Sequence, residues 1–245
     1  IELKASEVRT IIAVINKRGE TATRTAIAML KILEHRNVEA IGISSPFSVK
    51  IEKSSEALQN QNVNSPVVIG HALSRTFASD RSQPIKLKNA TLVFDGRIYS
   101  ARAKTSDIEF VVKRLQNSGQ NVETLVKEAD GDFAFALARP KGIIAGRDAL
   151  GIRPLYYGEN AELAALASER KALWKIGIGT VYSFPPGHIS IVDKRGFKFK
   201  AIKTLAYLKA KQINMHAAAK KLQKLLQRSF NERVFGLKEV AVAFS

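Results

Sequence analysis

The stretch "GDFAFALARPKGIIAGRDALGIRPLYYG", residues 131–158, constrains the fold more than any other. Within it, 132–140, 142–148 and 154–158 are short apolar runs punctuated by Gly and Pro, so each reads as a strand. Their alternation is mild, because alanine fills the second face. Strands that are apolar on both sides need cover on both sides. Residues 163–169 and 188–193 continue the series, and 10–16, 39–45, 48–53, 67–73, 90–96 and 97–103 precede it. Pro46 marks one hairpin, and Asp95-Gly96 carries the local signal of another. Residues 57–66 read as a polar turn. Helical spacing is confined to a few places. Ala22, Ala26, Met29, Leu30 and Leu33 form a stripe within 20–34, and Ile108, Val111, Val112 and Leu115 form one within 106–118, capped by Ser106 or Thr105. A short helix is expected at 122–129 and an amphipathic one at 217–235, with Ala218, Leu222, Leu225, Leu226, Phe230 and Val234 on its stripe. Sheets packed face to face with helices outside are the expectation.

Composition then excludes whole classes. With 45% hydrophobic and 25% charged residues, the chain is that of a globular protein. It has no Cys, so no disulfide and no thiolate metal site. His35, His71, His188 and His216 lack metal spacing, and no metal is expected. No run is long and apolar enough for a membrane span, and the start has no signal-peptide core, so a cytoplasmic protein is the default. The net charge is +17, and Lys194–Arg233 holds twelve Lys or Arg against the single acid Glu232. That basic tract allows a nucleic-acid or assembly module as one reading, but no zinc-finger or RNP-type pattern supports it. Because the chain begins at Ile1 and stops at Ser245 just after an apolar run, it is expected to be a piece of a longer protein.

Four motifs, in order and at matching spacing, carry a resemblance. They are "GDFAFALA", "GRDALGIRPLYYG", "ALASERKAL" and "FPPGH". Together with "LEHRNVEAIG", "LVFDGRIYS" and "TSDIEFV" upstream, they resemble the class II glutamine amidotransferase domain, in its asparagine synthetase branch, over about residues 10–193. The resemblance implies an α+β, four-layer αββα sandwich of the N-terminal nucleophile hydrolase type. It implies a nine-residue N-terminal extension, an amidotransferase-like domain at 10–196, and at 197–245 a linker and the first helix and strand of an ATP-pyrophosphatase domain. Ser245 would open that domain's ATP-gripping loop, with ATP and magnesium belonging to the part beyond it. No cofactor is expected in residues 1–245 themselves. The remainder of the synthetase is the implied partner, and a homodimer is left open.

In the family the nucleophile is an N-terminal Cys whose own α-amine is the base, the pairing also used by N-terminal threonine hydrolases. Here Thr10 stands at the Cys position, behind nine residues, with Ile11 and Val14 replacing glycines. Asp95-Gly96 replaces the oxyanion-hole Asn-Gly pair, and a carboxylate has no N–H to donate. Arg97 replaces the glutamate that binds the substrate amine, and Leu73 falls where the carboxylate-binding arginine belongs, with Arg75 nearby. Only Asp107, the other amine-binding acid, is kept. Loss of glutaminase activity is the expectation, leaving a structural or regulatory half and a remnant pocket, flanked by Arg75 and Arg97, suited to a small anion. The alternative is a threonine amidohydrolase unmasked by cleavage before Thr10. The loop at Arg147-Asp148, with Gly151 and Pro154 setting its dihedrals, is read as scaffold together with Ala167, Ser168 and Glu169.

Overall fold

The computed structural model describes residues 9–34, 38–61, 63–75, 79–99, 106–206, 213–235 and 240. The chain divides into two units, Ile1–Thr204 and Leu205–Ser245. In the first, a seven-stranded sheet runs in the order β11 (Tyr182–Ser183), β9 (Tyr156–Glu159), β10 (Leu163–Ala167), β1 (Thr10–Asn16), β4 (Val67–Leu73), β2 (Ala40–Ser44) and β3 (Val49–Glu52). A six-stranded sheet runs β13 (Gly196–Ala201), β12 (His188–Asp193), β8 (Gly142–Arg147), β7 (Gly131–Arg139), β6 (Thr91–Ile98) and β5 (Ile85–Lys86). The strand pairs in both sheets are antiparallel.

Three cores separate four layers. Helices α1 (Thr23–Lys31), α2 (Ser55–Leu58) and α5 (Arg170–Lys175) cover the seven-stranded sheet, packing Ala26, Met29, Leu30, Leu58 and Leu173 against Ile12, Val14 and Val68. Between the sheets lie Ile11, Ala13, Ile15, Ile69, Val93, Ala134, Ala136 and Ala138. Helices α3 (Asp107–Asn117) and α4 (Val122–Glu128) cover the six-stranded sheet, with Ile108, Val111, Leu115 and Leu125 against Phe94, Phe133, Phe135 and Leu137. This is the αββα sandwich expected. The alanines of "FAFALA" therefore lie in the middle of the sandwich, where small side chains let two sheets approach, and the phenylalanines fill the wider gap to the helices. The Phe94 and Phe133 rings stack at 6.0 Å.

Local signals account for most elements. Ser106 accepts from the backbone of Glu109 while Glu109 reaches back to the Ser106 N–H, a complete capping box for α3. At Gly70 an added Cβ would lie 2.9 Å from Leu30 Cδ1, so glycine lets α1 sit close on β4.

Three expectations are corrected. Asp95-Gly96 makes no hairpin: β6 runs straight through it, pairing Asp95 with Ala134 and Gly96 with Phe133. Glycine is required there by approach, since Gly96 has φ +151 and a Cβ would meet the Asp132 carbonyl oxygen at 2.2 Å. Second, the basic stretch after 196 is not all linker. Phe197 and Phe199 alternate with Lys198 and Lys200 in β13, which pairs with β12 and packs both rings against the inter-sheet core. The first unit thus runs to Thr204. Third, "ALQN" at 57–60 is not all turn, since α2 reaches into it. In the second unit, α6 (Met215–Val234) starts at Asn214, whose side chain accepts from Ala217 N at 2.8 Å. The expected strand before Ser245, Ser245 itself, His35, Thr105 and residues 1–8 of the extension lie outside the described residues. Among the described residues no helix is long and apolar enough to cross a membrane.

Candidate active site

The head of β1 and the adjoining ends of β6 and β7 bring five of the candidate residues to one end of the sandwich. Strand alternation sorts them by face. Ile11, Ala13 and Ile15 point between the sheets, and Ile12 and Val14 point at α1. Thr10 pairs with Ala72, itself in the α1-side core, so it continues the face of Ile12. Thr10 is buried, and its hydroxyl has no hydrogen-bond partner among the described residues. Across the gap, Val93 points between the sheets, so by the same period Asp95 and Arg97 do too.

The residue that enters this space is Arg9, not Thr10. Its guanidinium is buried, donating to the Gly96 carbonyl at 3.1 Å and to Asp80 Oδ1 at 2.6 Å. Arg97 Nε lies 3.5 Å from Asp107 Oδ2, and Asp107 Oδ1 accepts from the Ile98 N–H at 2.9 Å. Asp107 is thus held by β6 rather than serving as the α3 cap. Arg153 reaches in from the loop after β8, 2.9 Å from Asp132 and 3.7 Å from Asp95. Tyr99 donates its hydroxyl to the same Asp132. The pocket is a mesh of arginines and aspartates that hold one another.

Burial governs the titrations here. Desolvation, and secondarily the positive charge of Arg9, lowers the pKa of His71 to about 3, so this imidazole is neutral. His71 pairs with Ile11 on the inter-sheet face, and neither ring nitrogen has a hydrogen-bond partner among the described residues. Burial pushes the Asp107 carboxyl above its usual range, against the Ile98 N–H, Arg97 and Arg9, which pull it down.

Arg75 does not join the mesh. Its backbone N–H and side chain both go to Glu39, in a half-exposed pair 3.6 Å apart. Leu73 is fully buried. The expected anion pocket between Arg75 and Arg97 is therefore not assembled: one cation is drawn to Glu39, the other to Asp107.

The loop at Arg147-Asp148 is scaffold throughout. Asp148 is buried and accepts the backbone N–H groups of Phe133, Leu150, Ile152 and Arg153 at 3.0–3.3 Å. Arg147 donates to the carbonyls of Gly151, Arg153 and Phe184. Gly151 has φ +66, and a Cβ there would crowd Pro186 at 2.8 Å. Ser168 ties β10 to β1, its hydroxyl accepting from the Ile11 N–H at 2.9 Å. What sequence reasoning missed is that this scaffold also delivers Arg153 to the pocket. It missed Arg9, Asp80 and His71 as well. The one available signal was position, since Arg9 immediately precedes the residue aligned with the nucleophile.

Comparison with known proteins defines the class. Residues 72–175 match the family model of the glutamine amidotransferase domain. The B. subtilis glutamine phosphoribosylpyrophosphate amidotransferase shares the fold, with a TM-score of 0.67 at 21% identity over 79% of this chain and 49% of that one. The chain carries a class II glutamine amidotransferase domain, and it is similar in sequence to the asparagine synthetases. It is 25% identical to the putative glutamine-hydrolyzing asparagine synthetase 1 of Methanocaldococcus jannaschii, over 96% of this chain and 49% of the relative. It is 29% identical to the glutamine-hydrolyzing asparagine synthetase of Cricetulus griseus, over 59% of this chain and 29% of the relative. The chain thus spans half the length of these relatives or less.

Proposed function

We propose that this domain has lost glutamine hydrolysis and serves as the structural or regulatory half of an ATP-dependent, amide-forming synthetase. The observation that carries the reading is Arg9. Its guanidinium fills the space beside Gly96 where the family would seat the reacting amide, and its peptide bond to Thr10 removes the amine that would act as base. Three further features support it. The strand alternation turns the Thr10 side chain toward α1, away from Asp95 and Gly96. Asp95 presents a carboxylate where an oxyanion needs a donor, and loss of one such donor costs roughly 2.7–4 kcal/mol in other enzymes. Arg97 and Asp107 neutralise each other, which leaves no free carboxylate for an incoming ammonium. ATP and magnesium would belong to the residues that follow Ser245, and the hydrolytic question does not depend on them.

The test is ammonia release from millimolar glutamine by the purified chain, beside a chain trimmed to begin at Thr10. No turnover is expected in either. Turnover by the untrimmed chain overturns the reading. Turnover that appears only on trimming replaces it with a threonine amidohydrolase released by cleavage after Arg9.

A further inference from the structure

The opposite end of β7 carries a second cluster that none of this uses. Phe133 sits across from Gly96 in the pocket, and Arg139 lies six residues further along the strand, about 20 Å away at the rise of extended chain. There the β5–β6 turn, the end of α3 and the tip of the β7–β8 hairpin enclose a cleft of about 680 Å³, lined by Lys88, Asn89, Gln116, Gln120 and Arg139 among others. That is within the usual range for small-molecule sites.

The lining holds two cations, three carboxamides and no carboxylate. This is unusual within the chain. Among the described residues the other partly buried arginines are matched to acids, as in Arg9–Asp80, Arg97–Asp107, Arg114–Glu128 and Arg153–Asp132, or, for Arg147, to backbone carbonyls on three sides. Among the described residues Arg139 has one hydrogen bond, from Nη2 to the Gln120 carbonyl at 3.0 Å. Its Nε is buried and has no acceptor among the described residues. Burial lowers its pKa with nothing acidic to oppose the shift. A buried donor without an acceptor is destabilising, and more so when the group is charged. The turn that faces it is stiffly built. Gly119 and Gln120 are both left-handed, at φ +62 and +65, and the Gln120 N–H is tied back to the Leu115 carbonyl at 2.6 Å. The Gln120 carbonyl is thereby fixed on one edge of the guanidinium, and the remaining N–H groups are left for another acceptor.

We propose that this cleft binds an oxyanion, a phosphate or carboxylate group carried by a small polar molecule, with Arg139 as its main contact and Lys88 as the second cation. An oxyanion supplies the negative charge that the lining lacks, and the planar guanidinium suits such a group. Asn89, Gln116 and Gln120 offer donors and acceptors to the polar remainder of the ligand.

The probes are inorganic phosphate and citrate, titrated calorimetrically into the whole chain at constant ionic strength, so that the two oxyanion chemistries are compared directly. Saturable millimolar or tighter binding of at least one is expected. It should weaken about tenfold or more in Arg139→Gln, since one charge-assisted hydrogen bond is worth about that factor. It should weaken less in Lys88→Gln and be unchanged in Arg97→Gln. Failure of both probes to saturate, or undiminished binding by Arg139→Gln, overturns the proposal, and loss in Arg97→Gln moves the site to the other pocket. Should Arg139→Gln not fold, Lys88→Gln decides together with amide shifts of Asn89 and Gln120, and shifts unmoved by the probes count against the cleft.

Discussion

The loop after β8 and the pocket at the head of β1 are both buried and both built from arginine and aspartate, yet their charges have different partners. Asp148 and Arg147 are satisfied by backbone N–H and carbonyl groups. Arg9, Asp80, Arg97, Asp107, Asp132 and Arg153 are satisfied largely by one another. A charge bonded to backbone cannot be exchanged, because the backbone does not change with it. Charges bonded to each other can be replaced in sets. The resemblance runs the same way: "GRDALGIRPLYYG" keeps the family's pattern, while Thr10, Asp95 and Arg97 depart from it and Gly96 and Asp107 do not.

The largest effect should separate the two regions directly. Asp148→Ala leaves four backbone N–H groups in the interior without their acceptor. At about 1–3 kcal/mol for each unsatisfied group, relieved in part by water entry, a loss of roughly 4 kcal/mol is expected in urea unfolding. Adding Arg147→Ala should deepen the loss, not rescue it, because the two residues hold different backbone atoms. A rescue by the second substitution would show that the loop is an ion pair after all and would erase the contrast.

In the pocket the opposite outcome is expected. Arg9→Leu or Asp80→Leu alone strands a buried charge, at a cost of roughly 3 kcal/mol. The double variant should be no worse than either single one, since replacing a whole buried pair with apolar groups is often neutral. A double-mutant cycle by urea unfolding gives the coupling. Additive losses would mean that Arg9 and Asp80 act on other groups, and that the pocket is not a self-contained mesh.

These energetics bear on what could be seen in the sequence. The sandwich was legible because most of its strands announce themselves by local patterning, and α3 by its Ser106 and Glu109. The errors came where a local signal met a distant partner. Asp-Gly is a hairpin signal only in isolation; with Phe133 and Ala134 available as partners, β6 runs through it. The strand β13 was hidden by lysines on its outward face, although Phe197 and Phe199 keep the period. In the site, Thr10, Asp95, Gly96, Arg97 and Asp107 were legible only through resemblance, which aligns positions but not contacts. The Arg9–Asp80 bond joins residues 71 apart, and no local pattern marks either of them.

A smaller effect concerns His71. Its folded pKa of about 3 lies below the unfolded value of 6.5. The unfolded chain therefore binds the extra proton first. Stability is full above pH 6.5 and falls as the pH drops from there toward 3, by up to about 1.4 kcal/mol per unit. By pH 5 the loss from this residue should be roughly 2 kcal/mol. His71→Leu should flatten that part of the stability profile, measured by urea unfolding at a series of pH values. Asp107 works the other way, because its raised pKa lets the folded state take up a proton first as the pH falls. A slope unchanged by His71→Leu would place the acid sensitivity outside the pocket.

The smallest effect tests whether Arg97 and Asp107 sense each other at all. They are only partly shielded from water, with side chains 20% and 16% exposed, and 3.5 Å apart. Their coupling should be weaker than that of Arg9 with Asp80, at about 1 kcal/mol or less. Arg97→Gln keeps a polar side chain, though a shorter one, and removes the charge that pulls the Asp107 pKa down. The Asp107 carboxyl, already pushed up by burial, should then titrate higher still, which carbon-detected NMR of that carboxyl can follow. Arg9 also pulls this pKa down and Asp80 pushes it up, so the upward movement should persist in an Arg9→Leu/Asp80→Leu background, where both charges are gone. A downward movement, or none, would mean that Arg97 is held by its strand rather than by Asp107. The mesh would then be two separate pairs that happen to share a cleft, and replacement in sets would be a property of each pair and not of the pocket.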